Sequence, residues 1–189
     1  MFLRSLTIFV CTSVLVTAGF AQVNTGNSRL NDKMPPETKP LASPAAMAAV
    51  NLNGKAITIK YNSPRLKGRA IGSELAPYGK VWRTGANPAT TLMTSSNLKI
   101  GTLSVPAGTY TIYTLPNADQ WLLIINKQTG QWGTEYHEDQ DLGRTPMTSK
   151  PASASQEDMT ISFENTTGNS TELHVKWGKT DEYVNVTAE

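Results

Sequence analysis

From Ala45 onward the chain alternates apolar and polar positions with a period of two. Ala46, Ala48, Val50 and Leu52 fall on one side of an extended segment, and Ile57, Ile59 and Tyr61 on one side of the next. Asn53-Gly54 lies between them, a pair whose tolerance of positive φ suits the tight type I′ turn of a β-hairpin. The same pattern predicts strands over Ala89–Ser95, Leu98–Leu103, Thr109–Leu115 and Trp121–Asn126, with Pro106-Ala107-Gly108 and Pro116 to Asp119 as turns. Trp121 to Ile125 is apolar on both faces, as in a strand covered from both sides. Further on, Ile161 and Phe163 alternate, a polar turn spans 165–170, Leu173, Val175 and Trp177 alternate back, and Tyr183 to Thr187 makes a last strand. His174 is out of phase with Leu173 and Val175 and is expected on a solvent face. Only Gln156 to Met159 and Gly72 to Tyr78 leave room for short helical turns. Eight or nine short strands predict an all-β domain, an antiparallel β-sandwich, with a β-barrel as the alternative.

Upstream the pattern changes. Arg4 carries the one charge before an apolar or small run from Ser5 to Val16, and Gly19-Phe20-Ala21 offers small residues at both key positions of a cleavage site. Residues 1–21 therefore read as a secretory signal peptide. The competing reading, an uncleaved anchor, requires ~20 apolar residues, more than this run supplies. Residues 22–42 hold Pro35, Pro36 and Pro40 among polar residues, too little apolar surface to order a segment, and read as a flexible linker. Residues 43–189 are then a single β-rich domain, exported to the periplasm or beyond the cell, with no membrane span after cleavage. Cleavage removes Cys11, the only cysteine, and with it any disulfide, thiolate ligand or cysteine nucleophile.

Composition agrees with the strand pattern. Thr is the most telling residue, with 24 copies, and 14 Gly and 11 Pro supply the punctuation. The net charge of +2 makes no case for nucleic acid as a partner. The common chemical motifs are absent: no nucleophile elbow, no phosphate-cradling loop, no dinucleotide fingerprint, hence no cofactor is expected. His137-Glu138 opens like a zinc-protease helix but lacks the second His, and Asp139-x-Asp141 lacks the Gly and Glu of a calcium loop, so no metal is expected.

Two constellations remain. Arg65, Lys67, Arg69, Lys80 and Arg83 face a single acid, Glu74, while Glu135 to Asp141 holds four acids and His137. The plain reading is that each patch faces water or pairs with the other. The sharper one is an anion-recognising loop in which Arg83 offers a planar fork to a carboxylate or phosphate. Trp82 adjoins Arg83 and Asn87, and Trp132 adjoins Tyr136 and His137. Aromatic rings in loops between strands can stack on sugar C–H surface, though packing in the core is the plainer role for both. Whether the two loops meet in space is not written in the sequence.

Tyr61-Asn62-Ser63-Pro64-Arg65, Lys67-Gly68-Arg69 and Pro77 to Asn87, continued by Val105 to Tyr110, Trp121, Asn126-Lys127 and Gln131-Trp132-Gly133, resemble the bacterial domain of unknown function 2911 family. The resemblance runs from about Ser43 to Val186, with Pro88 as a departure where an acid is expected. It implies an exported bacterial β-rich domain and no reaction. The expected function is a non-catalytic binding or envelope module for a saccharide or small anion, using Trp82, Arg83, Asn87, Trp132, Tyr136 and His137. The alternative is a hydrolase with His137 and nearby carboxylates, drawn from Glu135, Glu138 and Asp141, as acid–base groups.

Overall fold

The structure, a computed structural model, describes residues 42–189; the expected signal peptide and all but the last residue of the expected linker lie outside the described residues. β1 (Ala45–Leu52) and β2 (Lys55–Asn62) form the predicted hairpin, paired from Ala45↔Asn62 to Leu52↔Lys55. Asn53 and Gly54 take φ values of 52° and 87°, the left-handed pair that a type I′ turn demands. β3 (Thr90–Thr94), β6 (Gly108–Leu115) and β7 (Leu122–Asn126) follow where alternation places them. The expected strand Leu98–Leu103 is broken at Gly101 (φ 54°) into β4 (Leu98–Ile100) and β5 (Leu103–Val105). β8 (Asp141–Pro146) was not legible, because its residues are partly exposed on both faces and carry no alternation.

β9 (Thr148–Thr167) and β10 (Ser170–Ala188) complete two antiparallel sheets, ordered β1-β2-β3-β6-β7-β8 and β5-β4-β10-β9. Neither closes on itself, and the two lie face to face as a β-sandwich with Leu52, Ile59, Leu92, Leu123, Met159 and Val175 buried between them. β1 lies beside β9 and β5 beside β8, so the open edges of one sheet are sheltered by the other. No helix among the described residues is long and apolar enough to cross a membrane.

Two expectations are corrected here. Gln156 to Met159 is strand, not a helical turn. Its backbone is engaged from outside: Met159 N–H donates to the Pro64 carbonyl (2.9 Å) and Leu66 N–H to the Glu157 carbonyl (3.0 Å). Gly72 to Tyr78 makes turns without a helix. The second correction concerns His174, which is fully buried at 0% exposure although it does face away from Leu173 and Val175.

The cause is a fold-back within β10. A straight strand rises about 3.3 Å per residue, which would carry Ser170 and Thr187 far apart. Instead their hydroxyls meet at 3.0 Å, and Ala188 N–H donates to the Asn169 carbonyl at 2.8 Å. Gly178, at φ 58°, takes the bend, and the two halves of β10 run side by side. His174 is caught between them. Its Nδ1 lies 2.7 Å from Asp181 Oδ1, its Nε2 3.0 Å from Glu172 Oε2, and Tyr183 stacks on its ring at 5.0 Å. Lys176 bonds Glu164 beside them.

Glu182, next to Asp181, turns the other way and is only 3% exposed. Its Oε1 accepts from Ser149 Oγ at 2.5 Å, while Oε2 has no partner among the described residues. Burial, with the Asp181 charge adding to it, pushes its carboxyl above the usual carboxylate range despite the Ser149 bond. A raised acid favours the folded state fully below its unfolded value, and that contribution is lost as pH rises through the folded value. Glu182→Gln is therefore expected to stabilise the protein by about 1–2 kcal/mol at neutral pH and to flatten stability against pH. Urea unfolding at pH 4.5 and pH 8 checks this; a destabilised variant at pH 8 would contradict it.

Candidate functional site

Alternation sorts the side chains of β6 and β7 between two environments. Ile112, Leu123 and Ile125 face the core, whereas Thr111, Tyr113, Ile124 and Asn126 face outward. The outward set is buried nonetheless, because residues 127–140 fold across it. That cover is the physical reason for the doubly apolar run in β7. Asn126 Nδ2 donates to the His137 carbonyl (2.9 Å) and to Asp141 Oδ1 (2.8 Å), and its Oδ1 accepts from Gln128 N–H (2.9 Å). Tyr113 donates its hydroxyl to the Glu135 carbonyl at 2.7 Å, and Gln131 Nε2 donates to the Tyr113 and Thr111 hydroxyls at 3.0 and 3.2 Å.

The two loops singled out in the sequence do meet. Pro88 pairs with Trp132, Gly133 N–H donates to the Asn87 carbonyl at 3.1 Å, and Ala89 N–H to the Gln131 carbonyl at 3.2 Å. Trp82 exchanges two backbone hydrogen bonds of 2.8 Å with Thr114 and extends the sheet by one pair. Thr114 shares the inner side of β6, so Trp82 points inward and the next residue, Arg83, points out beside Tyr113. The Trp82 ring lies parallel to Trp177 at 5.6 Å and edge-on to Trp121 at 6.2 Å. It is spent in the core and is not brought to the site with Arg83.

Arg83 is half-buried against Gly133. A Cβ at Gly133 would collide with Arg83 Cδ and lie 2.8 Å from the Asn87 carbonyl, so only glycine admits the arginine here. Gly133→Ala is expected to displace Arg83 and to cost about 1–3 kcal/mol, because neither neighbour is a free side-chain end. A melt of this variant tests that, and an unchanged melting temperature would show the packing to be loose.

The charges around the site divide sharply. Arg144 is fully engaged: Nε donates to Asp141 Oδ2 (3.1 Å), and Nη2 to the Tyr136 hydroxyl (2.8 Å) and Glu138 Oε1 (2.7 Å). Tyr136 donates to Asp141 Oδ2 at 2.6 Å and sets its ring edge-on to Tyr113 at 5.0 Å. Burial, then the Asp141 carboxylate, push the Tyr136 phenol well above its ordinary range. Burial likewise raises the Tyr113 phenol. Glu138 and Asp141 are thus answered by Arg144 and Asp139 by Gln140, while Arg65 pairs with Asp158 at 2.8 Å. Arg83 has neither answer. Among the described residues it donates no side-chain hydrogen bond and pairs with no carboxylate; Nε is sealed from solvent without a partner, and the terminal nitrogens remain open. Burial draws its pKa below the usual value, with Tyr113 acting the other way, but arginine starts too high to lose its charge.

The remaining candidates fall around this centre. Asn87, at φ 60°, gives its carbonyl to Gly133 and its amide to the Ser43 carbonyl at 3.5 Å. Trp132 is half-buried and its backbone pairs with Pro88. His137 is exposed, precedes the 3-10 turn Glu138–Gln140, and uses its carbonyl rather than its ring. Glu138 and Asp141 bond Arg144, not His137. Sequence reasoning passed over Tyr113, which lies beside Arg83, and Gln131, which bonds the Tyr113 hydroxyl; the outward phase of Tyr113 on β6 was the available signal. Among the described residues no three His, Cys, Asp or Glu are placed to hold a metal ion.

What this arrangement offers chemically is one cation with an unused planar fork, packed on Gly133 beside Tyr113. No curated protein and no solved structure matches the chain. A family described as "Protein of unknown function (DUF2911)" matches residues 43–186, nearly the whole sandwich and both loops of the site, and the chain belongs to that family.

Proposed function

We propose that the chain is an exported binding module for a small oxyanion, with Arg83 as the residue that reads the charge. The observation that supports this reading is the unanswered guanidinium. A buried polar group left unpaired costs about 1–3 kcal/mol, a cost that a ligand accepting from it would relieve. Packing against Gly133, with Tyr113 alongside, restricts the arginine, so less ordering remains to oppose binding. Arg144, whose guanidinium is already given to Asp141, Tyr136 and Glu138, offers no such fork. The hydrolase alternative draws on His137 and carboxylates of which Glu138 and Asp141 bond Arg144 instead.

The test is a thermal-shift screen of the purified protein against acetate, citrate, phosphate, glucuronate and neutral sugars. An anion present at 100 times its dissociation constant adds about 2.7 kcal/mol of stability. The reading expects an anion to raise the melting temperature and Arg83→Ala to cancel the rise. A rise that survives Arg83→Ala, or a flat response to every anion, contradicts it.

A further inference from the structure

On another part of the surface, Tyr78 is the one Phe, Tyr or Trp ring among the described residues that stands exposed, at 47%. Its place is fixed from both sides. Tyr78 N–H donates to the Gly72 carbonyl at 3.1 Å, and Gly79 N–H donates to the Pro116 carbonyl at 2.9 Å, which fastens this loop to the turn between β6 and β7. One face of the ring rests on Gly72, where a Cβ would come within 2.5–2.9 Å of three ring carbons. The rest of the ring borders an open surface cleft of about 560 Å³, lined also by Asn117, Ala118, Asp119, Gln120 and Leu122. The Asn117, Asp119 and Gln120 side chains, like the Tyr78 hydroxyl, make no hydrogen bond within the described protein.

We propose that this open cleft is a binding site for a neutral saccharide. A pyranose ring presents a C–H face that packs on an aromatic ring, and a rim of hydroxyls that need both donors and acceptors. Tyr78 supplies the platform, the amides of Asn117 and Gln120 supply donors and acceptors, and the Asp119 carboxylate can take two adjacent hydroxyls. With no cation in the lining, a sugar acid is disfavoured. The site shares no residue with Arg83 and stands or falls separately from the anion reading.

Saturation-transfer NMR on the purified protein with methyl β-glucopyranoside, methyl β-galactopyranoside, N-acetylglucosamine and cellobiose tests the proposal. At least one is expected to receive saturation, strongest on the C–H protons of one ring face. Tyr78→Ala is expected to weaken that sugar by about tenfold, with Tyr78→Trp retaining it. Asp119→Ala, on the other loop, is expected to weaken it as well, and Arg83→Ala to leave it unchanged. No transfer to any of the four sugars, or binding indifferent to both Tyr78→Ala and Asp119→Ala, overturns the proposal.

Discussion

Arg83→Ala is expected to lower the affinity for the bound oxyanion by at least about tenfold while leaving the fold intact. A hydrogen bond to a charged group contributes about 1.5–3 kcal/mol, which is roughly 10- to 150-fold in a dissociation constant. The fold has little to lose, because Arg83 makes no ion pair or side-chain hydrogen bond whose partner its removal would strand. Arg83→Lys separates charge from geometry. An ammonium keeps the charge but loses the planar fork, so it is expected to recover only part of the affinity, and that part is expected to fade with salt. Isothermal titration at two ionic strengths reads both effects. Full affinity in Arg83→Lys at high salt would mean that charge alone, and not the fork, recognises the ligand.

His174→Ala is expected to be the most destabilising single change in the second sheet, at about 3–5 kcal/mol. Removing the imidazole leaves Asp181 and Glu172 facing each other across the fold-back of β10 with nothing between them. Cross-strand Glu172 and Glu164 are themselves directly opposed, a pair that repels unless hydrogen-bond donors sit beside it, as the His174 ring and the Lys176 ammonium do. The hydrogen bond from His174 holds the Glu172 carboxyl below its usual range, and that from Lys176 does the same for Glu164. Depressed acids contribute stability above their unfolded values and lose it as pH falls through the folded ones. The wild type should therefore weaken on acidification, and His174→Ala should show less of that slope. Urea unfolding from pH 3 to pH 8 measures both. A loss below about 1 kcal/mol at pH 7 would show that the cluster is not holding the bend.

How far the sequence could be read follows from which forces are local. Alternation and turn residues located β1, β2, β3, β6 and β7, because each owes its face to the phase of its own apolar residues. β9 was legible only around Ile161 and Phe163. Its polar first half is strand because β10 and residues 64–66 take its backbone hydrogen bonds, and such pairing leaves no mark in side-chain pattern. His174 was placed on the correct face but in the wrong surroundings, since the fold-back at Gly178 that buries it is a long-range event. At the site, the loops around Arg83 and Trp132 were legible as composition and their meeting was not. That meeting depends on Gly133 and Asn87, two residues whose backbone, not side chain, makes the contact. The opposed directions of Trp82 and Arg83 follow from the single strand pair with Thr114, and this is why adjacent residues belong to different parts of the molecule.

The most direct measurement of the central claim observes the guanidinium itself. In an arginine-selective proton–nitrogen NMR titration with the anion that gives the largest thermal shift, the Arg83 Nε–H signal is expected to move saturably. The Arg144 signal, already held by Asp141, Glu138 and Tyr136, should stay in place. If Arg83 remains still while other signals respond, the anion binds elsewhere and the site described here is not the one that reads it.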